Sequence, residues 1–261
     1  MNPELSNESQ PNPQPEPSAT APQSFFNRLI GTYFSPGETF QEIGRAPGFV
    51  TPLLVLALVS AIGSFVLINR ITVEKFFGQG IEQALADNRI TQEQADQQMS
   101  GIRKGAPYIK AVFPVVGFVI GIVMALAIAG LAKLVSMMFG VENTFKPLLA
   151  VTAYAMLAVA LIGTLLFVIL LYLKPVEEID IKNPVGSNVA ALLGMAGIKL
   201  PKFLQYLFAY LDVFYIWRVA LLGIGFAAVS RRMKASTGIT YTAAVAVIFA
   251  LLAATWGALF G

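Results

Sequence analysis

Apolar residues fall in five long runs along the chain, at about 49–68, 112–138, 147–173, 211–230 and 239–260. Each run reaches the roughly 20 helical residues needed to cross the hydrocarbon of a bilayer. None shows the alternation of a half-buried strand, so the pattern predicts an all-α, polytopic helical membrane protein with five transmembrane helices. Between the first two runs lies a polar insert, residues 69–111. Its mixed acids and bases predict two solvated helices, at 72–88 and 91–103, the second opening on a Thr91-x-x-Gln94 capping box.

Ahead of the first run the pattern is of another kind. Residues 1–23 carry six prolines among Asn, Gln, Ser and Glu. A segment so poor in apolar residues cannot offset its ordering entropy and reads as a disordered, proline-rich cytoplasmic tail. It does not read as a signal peptide, since no basic residue precedes a hydrophobic core and Arg28 is the first cation. From residue 24 to 48, Phe25, Phe26, Leu29, Ile30, Tyr33 and Phe34 recur at helical spacing, and Ser35-Pro36-Gly37-Glu38 has the form of a capping box. Two short amphipathic helices lying at the cytoplasmic interface are expected, the second over 36–45 with Phe40 and Ile43 on its apolar side.

Composition agrees with the membrane reading. The chain is 56% hydrophobic and 13% charged, about half the charged share of a soluble domain. A net charge of +3 is too mild to point to a nucleic-acid partner. Cysteine and histidine are both absent. That removes disulfides, thiolate nucleophiles, imidazole metal sites and every mechanism with a histidine base, and no cofactor is expected.

Three groups of residues stand out within the runs. The fourth run carries two ionisable residues, Asp212 and Arg218, with Trp217 between them. A charge near the bilayer centre costs roughly 2.5–3.5 kcal/mol on insertion scales, so these three form a candidate intramembrane polar site. Arg218 is expected near the midplane, with Ser60, Ser64 and Thr164 at similar depth, and Asp212 near the outer boundary. Gly117, Gly121, Ala125 and Ala129 in the second run, and Ala243, Ala246, Ala250, Ala253 and Gly257 in the fifth, make small-residue faces where another helix approaches closely. Arg231, Arg232 and Lys234 form the densest basic cluster and anchor the topology. Placing them in the cytoplasm puts the N-terminus inside and the C-terminus outside, with the 69–111 insert and the 174–200 loop also outside, in a plasma membrane.

The segments SPGETFQEIGRAPGFVTPLL (35–54), Tyr154-Ala155 in the third run and LDVFYIWRVALLGIGFAAVSRRMKAS (211–236) resemble the bacterial members of the Yip family, named for Ypt/Rab-interacting proteins. The second is similar to the family's Tyr-Ala-x-x-Pro element, with Ala158 where proline is expected. The third is similar to its Asp-x-Phe-x-x-Trp helix with a basic turn; Arg218 is not part of that pattern. The resemblance implies five transmembrane helices behind a cytoplasmic N-terminal region. For eukaryotic relatives it implies roles in membrane organisation through small GTPases and helix-mediated oligomers.

These readings favour a non-enzymatic integral membrane adaptor or scaffold, with lipid and protein partners or self-association through its helices. A small transporter or channel built around Asp212 and Arg218 is the alternative. It lacks the repeated halves and matched broken helices of many transporters. An intramembrane hydrolase is disfavoured: a serine type would need a base, and an aspartyl type a second membrane carboxylate beside Asp212.

Overall fold

The computed structural model describes residues 23–179, 185–230 and 233–260. They form α1 (Phe25–Phe34), α2 (Pro36–Arg45), α3 (Val50–Arg70), α4 (Val73–Ala86), α5 (Gln92–Met138), α6 (Phe145–Leu173), α7 (Val189–Met195), α8 (Lys202–Ala209), α9 (Val213–Ala228) and α10 (Ala235–Phe260). Among the described residues, α3, α5, α6 and α10 are long and apolar enough to cross a membrane, and α9 is a shorter apolar helix. The chain is an all-α polytopic membrane protein.

Burial is inverted relative to a water-soluble bundle. On α5 the buried residues of the apolar part are Gly117, Gly121, Ala125 and Ala129, while Val115, Val119, Ile120 and Val123 are exposed. Lipid is as apolar as leucine, so large side chains gain nothing by leaving it, and small ones let backbones meet. A Cβ on Gly117 would stand 2.9 Å from the Ser60 carbonyl of α3, and one on Gly121 would stand 3.3 Å from Ala57 Cα. The same device joins α9 to α10, where a Cβ on Gly223 would lie 2.5 Å from Ile239 Cα.

The helix at the centre is α6. Every residue from Leu148 to Val159 is buried, as expected of a helix apolar on all sides. Helices α3, α5 and α9 cover part of it, and the α1–α2 hairpin covers the rest. Phe40 and Ile43 are fully buried against Val151, Tyr154, Leu221 and Leu222. The two entry helices thus pack into the bundle, a tertiary role their amphipathic pattern alone does not disclose.

Three local expectations are corrected. The helix expected at 91–103 and the span expected at 112–138 are one helix of 47 residues, with Pro107 and Pro114 inside it. At 1.5 Å per residue it runs about 70 Å, more than twice the hydrocarbon thickness. Its projecting part is braced by α4, through contacts such as the Phe76 and Phe113 rings 5.1 Å apart, and this support lets it run through both prolines. The Thr91 capping box does form. Ser35 makes no side-chain cap, because it also ends α1, its N–H bonding the Gly31 carbonyl at 2.8 Å. Finally, the run at 211–230 narrows to α9, which is 16 residues long.

Polar contacts sort the connections to the two ends of the bundle. Lys202 pairs with Asp87 at 2.8 Å, Arg89 donates to the Phe260 carbonyl at 3.1 Å, and Lys75 donates to the Val176 carbonyl. The insert, the loop after α6 and the end of α10 therefore share one end. At the other end Asn143 donates to Ser230 Oγ at 3.2 Å and Phe139 stacks on Tyr241.

Two glycines of α5 should respond oppositely. Gly117→Val pushes into the α3 backbone and should destabilise by about 1–3 kcal/mol. Gly130, with nothing within 4 Å of a built Cβ, should gain about 0.5–1 kcal/mol as Gly130→Ala. Unfolding midpoints of the two variants in one detergent check this; equal shifts would remove the close-packing account.

Candidate functional site

The Asp-x-Phe-x-x-Trp segment begins α9, and each of its named residues has a physical task. Asp212 is the N-cap: Oδ1 accepts from the N–H groups of Phe214 (2.9 Å) and Tyr215 (3.0 Å), satisfying two orphan donors of the first turn. Its Oδ2 accepts from the Ser187 hydroxyl. The carboxylate thus sits at the start of the helix. Phe214 and Trp217 both pack onto the α6 cluster; Phe214 also borders the cleft beside Asp212, while the Trp217 ring lies 5.8 Å from Tyr33 of α1.

Asp212 and Arg218 line one cleft of about 470 Å³, with Thr164 of α6, Ser187, Asn188, Tyr210 and Tyr215. Ser60 and Ser64, expected at the depth of Arg218, lie instead against the α5 glycines. The Arg218 guanidinium is seated over the Tyr215 ring, 5.0 Å from its centroid. Among the described residues it donates no hydrogen bond, although it carries five N–H donors. Trp217 faces away from this cleft, so the three candidates divide two and one.

A second charged constellation escaped the sequence reading. Arg28 of α1 is 5% exposed. It donates to Glu42 of α2 from Nε (3.1 Å) and Nη2 (2.8 Å), and to the Ala46 carbonyl from Nη1 (3.0 Å). Burial works against its charge, but the hydrogen bonds and charge of Glu42 outweigh that and hold its pKa above the ordinary value. The fork is the bidentate geometry that distinguishes arginine from lysine. Nearby, the Tyr33 hydroxyl donates to the Ala158 carbonyl at 2.7 Å, so the position where the family pattern has proline serves here as a docking point for α1. A signal was present: Arg28 and Glu42, and Gly31 and its contact Thr39, are placed symmetrically about Ser35, as a helical hairpin requires.

The remaining sequence-derived residues fall as follows. On α10, Ala250 and Gly257 are buried, Gly257 beneath the Tyr206 ring, whereas Ala243, Ala246 and Ala253 are half-buried. Lys234 is exposed. Lys133 continues the α5 face and donates to the Asn143 carbonyl at 2.7 Å. Arg231 and Arg232, and all but the last residue of the proline-rich tail, lie outside the described residues.

Fold and site together define a multi-pass helical membrane protein whose N-terminal hairpin is clasped to the bundle. A family model, the Yip1 domain, matches residues 30–257. The chain belongs to the Yip1 domain family. No curated protein and no solved structure matches it.

The ion pair is open to a direct test. Glu42→Leu leaves the Arg28 charge buried without its partner and should cost about 3–5 kcal/mol, whereas the double variant Arg28→Met, Glu42→Leu should recover much of that loss. Unfolding midpoints of the single and double variants measure it; a double variant no more stable than the single would contradict the buried-pair account.

Proposed function

We propose that the protein is a non-enzymatic membrane scaffold that presents the α1–α2 hairpin as a fixed lateral surface. One observation carries this. The hairpin is locked inward by Arg28, Glu42, Tyr33 and Phe40, while Phe26, Ile30 and Phe34 are 70%, 57% and 83% exposed. Spaced four apart, they form one apolar row on the outward side of α1. A row held so rigidly presents its side chains at little ordering cost, which favours binding of a lipid surface or a protein helix. Phe25 and Phe40, which the sequence groups with Phe26, belong to the packing and not to this row.

The transport alternative draws less support. The polar cleft at Asp212 reaches Arg218, and the separate groove that Arg218 also borders is lined mostly by apolar side chains. That favours a site for an amphiphile over a polar conduit.

Orientation follows from cation density near the span ends. Arg45, Lys146 and Lys234 are exposed around the end that holds the Asn143–Ser230 contact. We place that end in the cytoplasm of a cell with the protein in its plasma membrane, the proline-rich tail inside, and the insert and C-terminus outside. The chain has no cysteine, so Ser100→Cys and Ser236→Cys are clean probes. An impermeant thiol reagent on intact cells should label the first and miss the second. Labelling of Ser236→Cys alone would reverse the orientation.

The scaffold itself is tested by replacing Phe26, Ile30 and Phe34 together with Ser. Surface changes of this kind usually alter stability by under about 0.5 kcal/mol each, so the variant should stay folded in detergent. Its crosslinking pattern and lateral clustering in membranes should fall severalfold. Clustering equal to wild type would remove the row as the working surface.

A further inference from the structure

Helix α5 stands off from α9 and α10, leaving a groove of about 390 Å³ between them. Its walls are apolar, with Ile128, Leu131 and Val135 on one side and Val219, Leu222 and Val245 on the other. Met124, Leu131 and Phe249 on its rim are 45%, 44% and 54% exposed, so the groove opens sideways, into the bilayer. One end is closed by the Phe139 and Tyr241 rings, stacked 5.1 Å apart. At the other end are Arg218 and Tyr215, the two residues that also line the polar cleft below Asp212. A polar chamber and an apolar one therefore meet at a single guanidinium that donates no hydrogen bond among the described residues.

From this juxtaposition we infer that the chain binds a phospholipid with an amine headgroup, its phosphate on Arg218, its ammonium toward Asp212 and an acyl chain in the α5–α9–α10 groove. The phosphate supplies what the guanidinium lacks, a bidentate anionic acceptor. The seat of Arg218 on Tyr215 holds the fork in place for it. Asp212 lies six residues earlier, about 9 Å back along the helix axis toward the polar cleft. Its carboxylate accepts three hydrogen bonds and has capacity for a fourth, and its charge disfavours a purely anionic headgroup. The groove from Met124 to Phe139 runs about 22 Å along α5, enough for a chain that fills one leaflet of a core about 30 Å thick. The volume lies in the range of small-molecule sites. The inference is independent of the scaffold reading, since Phe26, Ile30 and Phe34 line neither chamber.

The test is native mass spectrometry of the full chain released from micelles doped with phosphatidylethanolamine, phosphatidylglycerol or phosphatidylcholine. Wild type should retain phosphatidylethanolamine about tenfold better than phosphatidylglycerol, with phosphatidylcholine, whose ammonium lacks N–H donors, below it. Arg218→Leu should lower retention about tenfold. Leu131→Trp, which fills the groove without touching the polar cleft, should lower it comparably and serves where Arg218→Leu fails to fold. Asp212→Asn keeps the helix cap, because asparagine is as good an N-cap as aspartate, and should abolish the preference over phosphatidylglycerol. Equal retention of phosphatidylglycerol by wild type, or undiminished retention by a folded Arg218→Leu or Leu131→Trp, would overturn the assignment.

Discussion

The Arg28–Glu42 clasp is the interaction on which the rest of the bundle leans. Helix α6 is apolar on every side, and a helix of that kind is stable only when wrapped on every side or left to lipid. Helices α3, α5 and α9 leave one flank of α6 uncovered. The α1–α2 hairpin fills it, and the hairpin keeps its shape because a buried guanidinium ties its two arms and caps the Ala46 carbonyl. Phe40 then reaches Val151 and Gly225 together, so α2 joins α6 to α9. An N-terminal segment that looks like an appendage is therefore part of the core.

Close backbone approach is the second constraint, and it sets which helices pair. The contacts of Gly117 and Gly121 on α3 and of Gly223 on Gly238 and Ile239 admit no larger residue without a shift. In a solvent as apolar as the side chains themselves, such contacts and a few hydrogen bonds supply the attraction between helices that hydrophobic burial supplies in water. The long α5 shows the limit of this. Its small-residue face meets α3 and α6, while on another face the larger Met124, Ile128, Leu131, Val135 and Phe139 border the groove toward α9 and α10.

The spans and the short helices were legible in the sequence because hydropathy and helical period are local properties. The Thr91–Gln94 box was legible for the same reason. What was not legible depends on partners. The Ser35 box has the right residues, yet Ser35 is shared by two helices and its geometry serves the end of α1. The polar insert reads as separate helices because prolines and charges mark breaks, whereas packing against α4 carries α5 straight through Pro107 and Pro114. Asp212 reads as a charge near the outer boundary of an apolar run, and nothing local marks it as a cap. The turn at Tyr210 and the bridge to Asn188 give it that role. Of the candidate site, the presence of Asp212, Trp217 and Arg218 in one run was visible, whereas helical phase sets Asp212 and Arg218 about 120° apart. That the two line one cleft while Trp217 packs near Tyr33 depends on the elements around α9.

The two inward arginines make a natural comparison. Both place a guanidinium among apolar side chains, where an unsatisfied charge is costly. Arg28 meets that cost with three hydrogen bonds and a counter-charge, all from within the chain. Arg218 has a ring face and a carboxylate about 9 Å along the helix, and among the described residues its donors, set between a cleft and a groove, meet no acceptor. Arg28 is thereby complete as a structural element, and nothing further need bind it. Arg218 is complete only when an acceptor arrives, and the two chambers that meet there admit an acceptor that is polar at one end and apolar at the other. In a bilayer the molecule of that description present at highest concentration is the phospholipid itself.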